Sequence, residues 1–166
     1  MKYFFPEKTM TMEDVQLIRF MFSKIVTNEF AVTGEKFDET REYRVTVNLG
    51  FGLDKDQRVV NCSLKALTHQ EERLLTVVGV TCAYKVLVED WDRTYQNDTH
   101  SFLLPKFSGL YLAGLTVSTA RGILHGKTES LPINAAVLPM INVQELVKGD
   151  IKLEFKPSVP VQMEKE

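Results

Sequence analysis

The side chains best suited to chemistry are three histidines, two cysteines and a few paired carboxylates, and their spacing matches no catalytic or metal-binding template. The histidines are scattered, and Cys62 and Cys82 lack the short paired spacing of a zinc site. The acidic pairs at positions 71–72 and 89–90 are interpreted as turn charges, because acid–base catalysis needs a carboxylate in a perturbed, partly buried setting. We therefore expect no metal site and no catalytic residue.

A nucleotide-binding loop is not predicted either. The segment "HGKTES" contains Gly126, Lys127 and Thr128, but it lacks the earlier glycine of a phosphate-binding loop and is expected to close a helix. No G-x-S-x-G nucleophile motif is present in the chain. The sequence thus predicts a binding protein that is not an enzyme and that needs no cofactor.

Composition places the chain among ordinary globular proteins. It has 166 residues, of which 25% are charged and 44% hydrophobic, and its formal charge is -2. These values predict one domain over residues 1–166, with loose tails at 1–12 and 157–166. They argue against nucleic-acid binding and, with no apolar run of about 20 residues, against membrane insertion. Without a signal-peptide pattern we expect a cytoplasmic protein, with Cys62 and Cys82 as buried free thiols.

Period-two alternation of apolar residues predicts four strands joined by short polar turns, an antiparallel β-meander. Their expected ranges are 15–30, 42–53, 58–68 and 74–88. The first strand alternates imperfectly, which indicates either a bulge or bend, or a strand covered on both faces. The last strand carries apolar residues on both faces, so we expect its second face, which includes Val77, to be covered, and another subunit is one possible cover.

Residues 89–102 have no period and are predicted to form a loop with exposed or half-exposed aromatic residues. From about Leu103 to His125 the period becomes helical, and Gly126 is expected just past the end of the helix. Small residues on this helix favour close packing across a subunit interface, and we select Gly109, Ala113 and Ala120, together with Val77, for that interface.

The remainder of the chain is punctuated by proline. Pro132 and Pro139 predict an extended segment, since each disfavours helix at the preceding residue. Asn142 is expected to cap a short helix ending at Val147, and "IKLEF" is expected to form a last strand. The fold class predicted is α+β, with the four-stranded meander followed by a long helix and a short C-terminal helix.

This order of elements resembles the SecB export-chaperone family. The local match is "STARGILHGKTESLPINAAVLPMINVQEL", a helix with an Ala-Arg pair, a Leu-Pro turn, a short apolar stretch ending in Pro, and Ile-Asn before a last helix. The order of elements matches over residues 13–148 and the residue-level match covers about thirty residues. The resemblance implies a sheet backed by helices, a dimer of dimers, and grooves that hold unfolded polypeptides without ATP.

A protein that holds unfolded chains needs exposed apolar surface and free backbone groups. Candidates for such a groove are the aromatic residues of the predicted loop, the start of the long helix and the extended segment: Trp91, Tyr95, Phe102, Phe107, Val137, Leu138, Met140 and Ile141. Each of them can equally be a core residue.

The resemblance has one departure and leaves alternatives open. In the family, an acidic residue on the outer face of the last strand helps to dock the motor protein SecA, whereas "LLTVVGVTC" presents Val77 and no carboxylate. This argues against SecA docking through that patch. The alternative function is a dedicated SecB-like interaction protein with one cognate partner, as in toxin–antitoxin systems. A hot-dog thioesterase is disfavoured, because its main helix normally follows the first strand.

Overall fold

The computed structural model describes residues 17–33, 37–135 and 138–154. Four long strands come first, followed by a short helix, two short strands, a long helix, a short helix and a last strand. Their bounds are β1 Phe20–Val32, β2 Tyr43–Asp54, β3 Val59–Gln70, β4 Arg73–Val86, α1 Val88–Thr94, β5 Tyr95–Gln96, β6 Ser101–Leu104, α2 Lys106–Thr128, α3 Val143–Leu146 and β7 Ile151–Glu154, with a 3-10 turn at Pro132–Ala135. The predicted fold class is confirmed.

The order of strands in the main sheet is β1-β4-β3-β2, and every pair is antiparallel. Strands β2 to β4 form the predicted meander. A long connection leads from β1 to β2, and β1 pairs with β4 instead of β2, which gives a Greek-key order. The side chain of Gln70 fixes this connection, since its amide donates to the backbone carbonyl of Asp38 (2.8 Å) and accepts from the Asp38 N–H (3.2 Å). Phe37 packs beside Leu75 and Ile133 and anchors it further.

The core lies between one face of this sheet and α2. Alternate residues of β3 and β4 that face the helix, such as Val60, Leu64, Val80 and Tyr84, are almost completely buried. Cys62 and Cys82 are directly opposite each other in the β3–β4 register, and both are buried free thiols, as predicted. Burial raises the pKa of the Cys62 thiol to about 12, which leaves it protonated and unreactive at neutral pH.

Helix α2 starts after Pro105 and runs to Thr128, so the expected stop at Gly126 is wrong. Its hydroxyl residues remain compatible with a helix because their side chains donate to carbonyls four residues earlier. Thr116 donates to the Leu112 carbonyl (2.9 Å) and Thr128 donates to the Leu124 carbonyl (2.8 Å). The bond at Thr128 lies in the final turn, where the helix continues through Gly126.

The predicted loop at 89–102 is also wrong, because it contains α1 and the strands β5 and β6 of a second, small sheet. The order of this sheet is β5-β6-β7, so the predicted last strand pairs with β6. Asn142 caps α3 as expected, its side-chain oxygen accepting from the Gln144 N–H (3.2 Å). In the part of the chain that the structure describes, no helix is long and apolar enough to cross a membrane.

Candidate polypeptide-binding surface

The three aromatic residues selected for the groove, Trp91, Tyr95 and Phe102, instead form a buried stack. The Trp91 ring lies parallel to Tyr95 (centroids 4.9 Å apart) and close to parallel to Phe102 (5.2 Å). All three side chains are buried and join the core that underlies the main sheet. Their assignment to an exposed groove is corrected, because α1 and β6 turn the rings toward one another and away from water.

The extended segment after α2 is divided between core and surface. Leu138 is buried, Ile141 is half-buried against the core, and Met140 is 96% exposed. Val137 lies outside the described residues. The Arg121 guanidinium holds the segment against α2, donating to the carbonyls of Leu138 (3.1 Å) and Pro139 (2.9 Å). Of this segment, Met140 is therefore the residue most available to a ligand, and Leu138 is corrected to a core residue.

The residues selected for a subunit interface are enclosed by their own chain. Gly109, Ala113 and Ala120 lie on the buried face of α2, and Val77 is also buried. A Cβ atom at Gly109 would come within 3.3 Å of the side chains of Val147 and Ile151. Small residues here let α2 pack closely against neighbouring elements of the same subunit. Their assignment to a contact between subunits is therefore corrected.

The structure exposes a different apolar surface, on β1. This strand forms one edge of the main sheet, so one side of its backbone has no strand beside it among the described residues. Phe22 and Ile25 point to the helix side of the sheet, opposite Tyr84 and Cys82, and each is 48% exposed. Met21 and Val26 point to the other side and are also exposed. The apolar residues on the two faces explain the imperfect alternation of this segment.

Two irregularities in the register interrupt β1, between Phe22 and Lys24 and between Thr27 and Glu29. They confirm the predicted bulge. The second is fixed by Asn28, whose side-chain oxygen accepts from the Thr81 hydroxyl (2.7 Å). The regular stretch between them contains the exposed pair Ile25 and Val26, so the bulges frame the apolar centre of the edge.

A group of charged residues positions the beginning of β1. The carboxylate of Asp90 is buried, and its Oδ2 atom accepts from both the backbone N–H (2.8 Å) and the Nε (2.9 Å) of Arg19. Arg93 donates to the other carboxylate oxygen (3.1 Å). Hydrogen bonding to Arg19 holds the pKa of Asp90 below its usual range. The residue before β1 is thereby fixed to α1.

The start of α2 also lies beside the entry to β1. The backbone N–H of Ile18 donates to the Ser108 hydroxyl (3.3 Å), and the neighbouring residue Phe107 is 55% exposed. Phe107 is therefore the one aromatic member of the predicted groove set that remains at the surface. At the far end of α2, the Lys127 ammonium lies over the ring of Phe30 (5.1 Å), so both ends of α2 contact β1 or its entry.

The outer face of the main sheet is polar at its centre. The hydroxyls of Ser63 and Thr81 are 2.8 Å apart, and Lys65 forms an ion pair with Glu29 (2.6 Å). A shallow depression of about 440 Å³ lies between these groups and Gly50. Within the described ranges, no group of three or more His, Cys, Asp and Glu residues could hold a metal ion. The exposed apolar surface thus lies along β1 and not at the centre of the outer face.

The chain was compared with family models, curated proteins and solved structures. No family model and no curated protein matches the chain. A solved structure of a Mycobacterium tuberculosis SecB-like chaperone, in complex with a ChAD peptide from the HigA1 antitoxin, is similar over 75% of this chain and 86% of that one. The TM-score is 0.43 and the sequence identity is 7%.

Sequence reasoning missed the exposed apolar surface of β1 because it looked for aromatic residues in a loop. The available signal was that the first strand carries apolar residues at both odd and even positions. A further signal was the stretch between the predicted first and second strands, 31–41, which exceeds the two to five residues of an ordinary hairpin. A long connection allows the first strand to pair with a later one and to form an edge.

Proposed function

We propose that this protein is an ATP-independent chaperone that holds unfolded polypeptides along β1. The observation that carries the proposal is the edge strand itself, 13 residues long, with Met21, Phe22, Ile25 and Val26 all exposed. Natural edge strands are normally short, charged or covered, because an apolar edge recruits other chains. An exposed apolar edge of this length therefore supports a role in binding polypeptide.

The geometry suits a client that has no fixed sequence. An extended client can pair with the free backbone edge of β1, since main-chain hydrogen bonds do not depend on side-chain identity. Apolar client side chains, which alternate between the faces of a strand, would contact Phe22 and Ile25 on one side and Met21 and Val26 on the other. Each Å² of apolar surface removed from water contributes roughly 25 cal/mol.

The proposal needs no nucleotide. The residues Gly126, Lys127 and Thr128 of "HGKTES" lie in the last turn of α2. Phosphate-binding loops instead place their glycines before the start of a helix, where backbone N–H groups point at the phosphate. Client release is then governed by mass action, because the chaperone binds the unfolded form and not the native one.

Introducing positive charge on the edge tests the proposal. We expect the double substitution Met21→Lys and Ile25→Lys to lower client affinity at least tenfold, because two lysines replace apolar contacts on opposite faces of β1. The measurement is light-scattering aggregation of two unrelated denatured proteins at increasing chaperone concentration. A control is Leu131→Lys with Leu146→Lys, which changes two exposed apolar residues outside β1.

Unchanged suppression by the β1 variant, with native far-UV circular dichroism, would contradict the proposed site. Suppression of neither protein by the native chain would contradict a general chaperone. The alternative stated above, a dedicated interaction protein, predicts that one cognate partner binds while unrelated denatured proteins do not. The same pair of clients separates these functions.

The wider partners implied by the SecB resemblance belong to this proposal: a homo-oligomer, a dimer of dimers, and a link to protein export. Docking of a SecA-type motor through the outer face of β4 is disfavoured. Val77 is buried there, and the nearby carboxylate of Glu29 is already paired with Lys65. Any export partner is therefore expected to use another surface.

A further inference from the structure

The two faces of β1 differ in charge. On the helix side the strand carries no charged residue and exposes Phe22 and Ile25. Its two charged residues, Lys24 and Glu29, both lie on the outer side, together with Met21. A polypeptide strand that pairs with the free edge of β1 therefore meets an apolar row on one face and a row containing charges on the other.

The negative charge on β1 is already compensated within the protein. Gly79 of β4 lies opposite Glu29 in one register and opposite Lys65 in the other, and the two charged groups form an ion pair across it (2.6 Å). A Cβ atom at Gly79 would come within 3.2 Å of the Glu29 Cβ atom, so the missing side chain leaves room for this contact. Glu29 thus directs its charge across β4, toward the centre of the sheet.

The positive charges beside β1 are not compensated in this way. Lys24 and Lys85 are exposed, and within the ranges that the structure describes neither forms an ion pair or a hydrogen bond. Lys85 lies opposite Met21, and Lys24 is its diagonal neighbour on the same face, with the two Cα atoms about 7 Å apart. At the far end of the strand the ammonium group of Lys127 adds charge of the same sign over Phe30.

The carboxylates at the entry to β1 are also occupied, because Glu89 and Asp90 both accept hydrogen bonds from Arg19. The border of β1 is therefore locally positive although the whole chain has a formal charge of -2. At physiological ionic strength charges farther away than about 8 Å are largely screened. The lysines beside the strand, and not the net charge, decide which charged polypeptides are attracted.

We propose that the preferred clients are extended segments in which apolar residues alternate with aspartate or glutamate. This inference rests on the proposed polypeptide binding at β1 and specifies the class of substrate. Alternation places the apolar side chains against Phe22 and Ile25 and the carboxylates on the side of Lys24 and Lys85. A shift of the client by one residue would exchange its faces, so the charged row also fixes the register.

The lysines are expected to select among clients, whereas the apolar contacts supply most of the affinity. Exposed ion pairs contribute little, while charge complementarity across an interface mainly determines specificity. The unpaired backbone edge favours polypeptide over an anionic lipid surface, because only a polypeptide strand completes the ladder of hydrogen bonds.

Three synthetic peptides of about ten residues, the length of a typical long strand, test the inference on the full chain. They alternate valine with glutamate, glutamine or lysine, carry a fluorescein label and are titrated by fluorescence anisotropy. We expect the glutamate peptide to bind about fivefold more tightly than the glutamine peptide, and the lysine peptide to bind most weakly. Raising the salt from about 0.1 M to about 1 M shortens the screening length from about 10 Å to about 3 Å and should remove this order.

Reversal of the two lysines gives a second measurement. The double substitution Lys24→Glu and Lys85→Glu should invert the order, so that the lysine peptide binds more tightly than the glutamate peptide. The matched control is Arg44→Glu with Lys148→Glu, which changes the net charge equally at two exposed cations outside β1 and should leave the order unchanged. Far-UV circular dichroism of each variant verifies that it is folded.

The possible outcomes separate this inference from the proposed function. If the glutamine peptide binds but the glutamate peptide is not favoured, or if the folded reversed variant keeps the native order, the inference is overturned and polypeptide binding stands. If even the glutamine peptide does not bind, both are overturned. Sedimentation of the native protein with phosphatidylserine vesicles, lost in the reversed variant, would assign the lysines to a lipid surface and would also overturn the inference.

Discussion

At the scale of single residues, Asp90 connects two parts of the molecule that are far apart in the sequence. Its buried carboxylate accepts three hydrogen bonds from Arg19 and one from Arg93, while both arginine side chains remain more than half exposed. The entry to β1 is thus fixed by a buried carboxylate whose arginine partners remain in contact with water. Such a carboxylate stabilises the fold in its ionised form, because its partners donate to the charged state.

The substitution Asp90→Asn should lower the free energy of unfolding by about 1.5–3 kcal/mol at pH 7, the usual range for hydrogen bonds to charged groups. The pKa of Asp90 is lowered in the folded state, so its contribution is present above the unfolded pKa of about 3.9 and is lost as the pH falls through the folded value. Urea unfolding at pH 7 and pH 3 measures the difference, which should shrink at pH 3. Asp92→Asn changes an exposed carboxylate of the same helix and serves as the control. A deficit that is equal at both pH values would contradict this role.

At the scale of elements, a few buried polar contacts fix the position of α2 on the sheet. The Tyr84 hydroxyl donates to the Leu112 carbonyl (3.3 Å) and lies 3.0 Å from the Thr116 hydroxyl. Near its first turn, α2 packs on Val147 and Ile151 through Gly109. Because these contacts set which residues of α2 face inward, they also set which residues of α2 face outward.

Removing the Tyr84 hydroxyl tests this contact. We expect Tyr84→Phe to lower the free energy of unfolding by about 1 kcal/mol, since Thr116 retains its bond to the Leu112 carbonyl and no buried donor loses its only partner. Tyr43→Phe, at an exposed tyrosine of β2, should change it by less than about 0.5 kcal/mol. Chemical unfolding monitored by circular dichroism gives both values. Equal effects of the two substitutions would show that the hydroxyl does not position α2.

At the scale of the whole molecule, the two sheets share one core. Trp91 and Phe102 of the small-sheet region belong to the same buried cluster as Val60 and Val80 of the main sheet. Leu153 of β7 lies opposite Phe102 in the register and is part of that cluster. Because residues of both sheets are buried in the same cluster, we expect the two sheets to unfold together.

Trp91 is the single tryptophan of the chain and reports on the small-sheet region. Thermal unfolding followed by its fluorescence should coincide with unfolding followed by far-UV circular dichroism, which is dominated by the main sheet and α2. Coincident transitions are the expected result for one cooperative unit. An earlier fluorescence transition would show instead that the small sheet melts independently.

Local patterns in the sequence predicted most of the elements. Alternation identified β2, β3 and β4 within a few residues, and Asn142 identified the start of α3, because these signals depend on neighbouring residues only. The pairing of β1 with β4 was not predicted, since it depends on the path of the connection between β1 and β2. That path is fixed by Phe37 within the connection and by the side chain of Gln70. The stack of Trp91, Tyr95 and Phe102 was missed because a polar segment without a period gives no local sign of burial.

The sequence by itself therefore determined the types of the long elements, the buried thiols and the presence of an apolar, glycine-containing helix. It also determined that the first strand carries apolar residues at both odd and even positions. Only the tertiary structure decided which surfaces reach water, because burial depends on what packs on each face. As a result Gly109, Ala113 and Ala120 lie in the core, whereas apolar residues of β1 remain exposed.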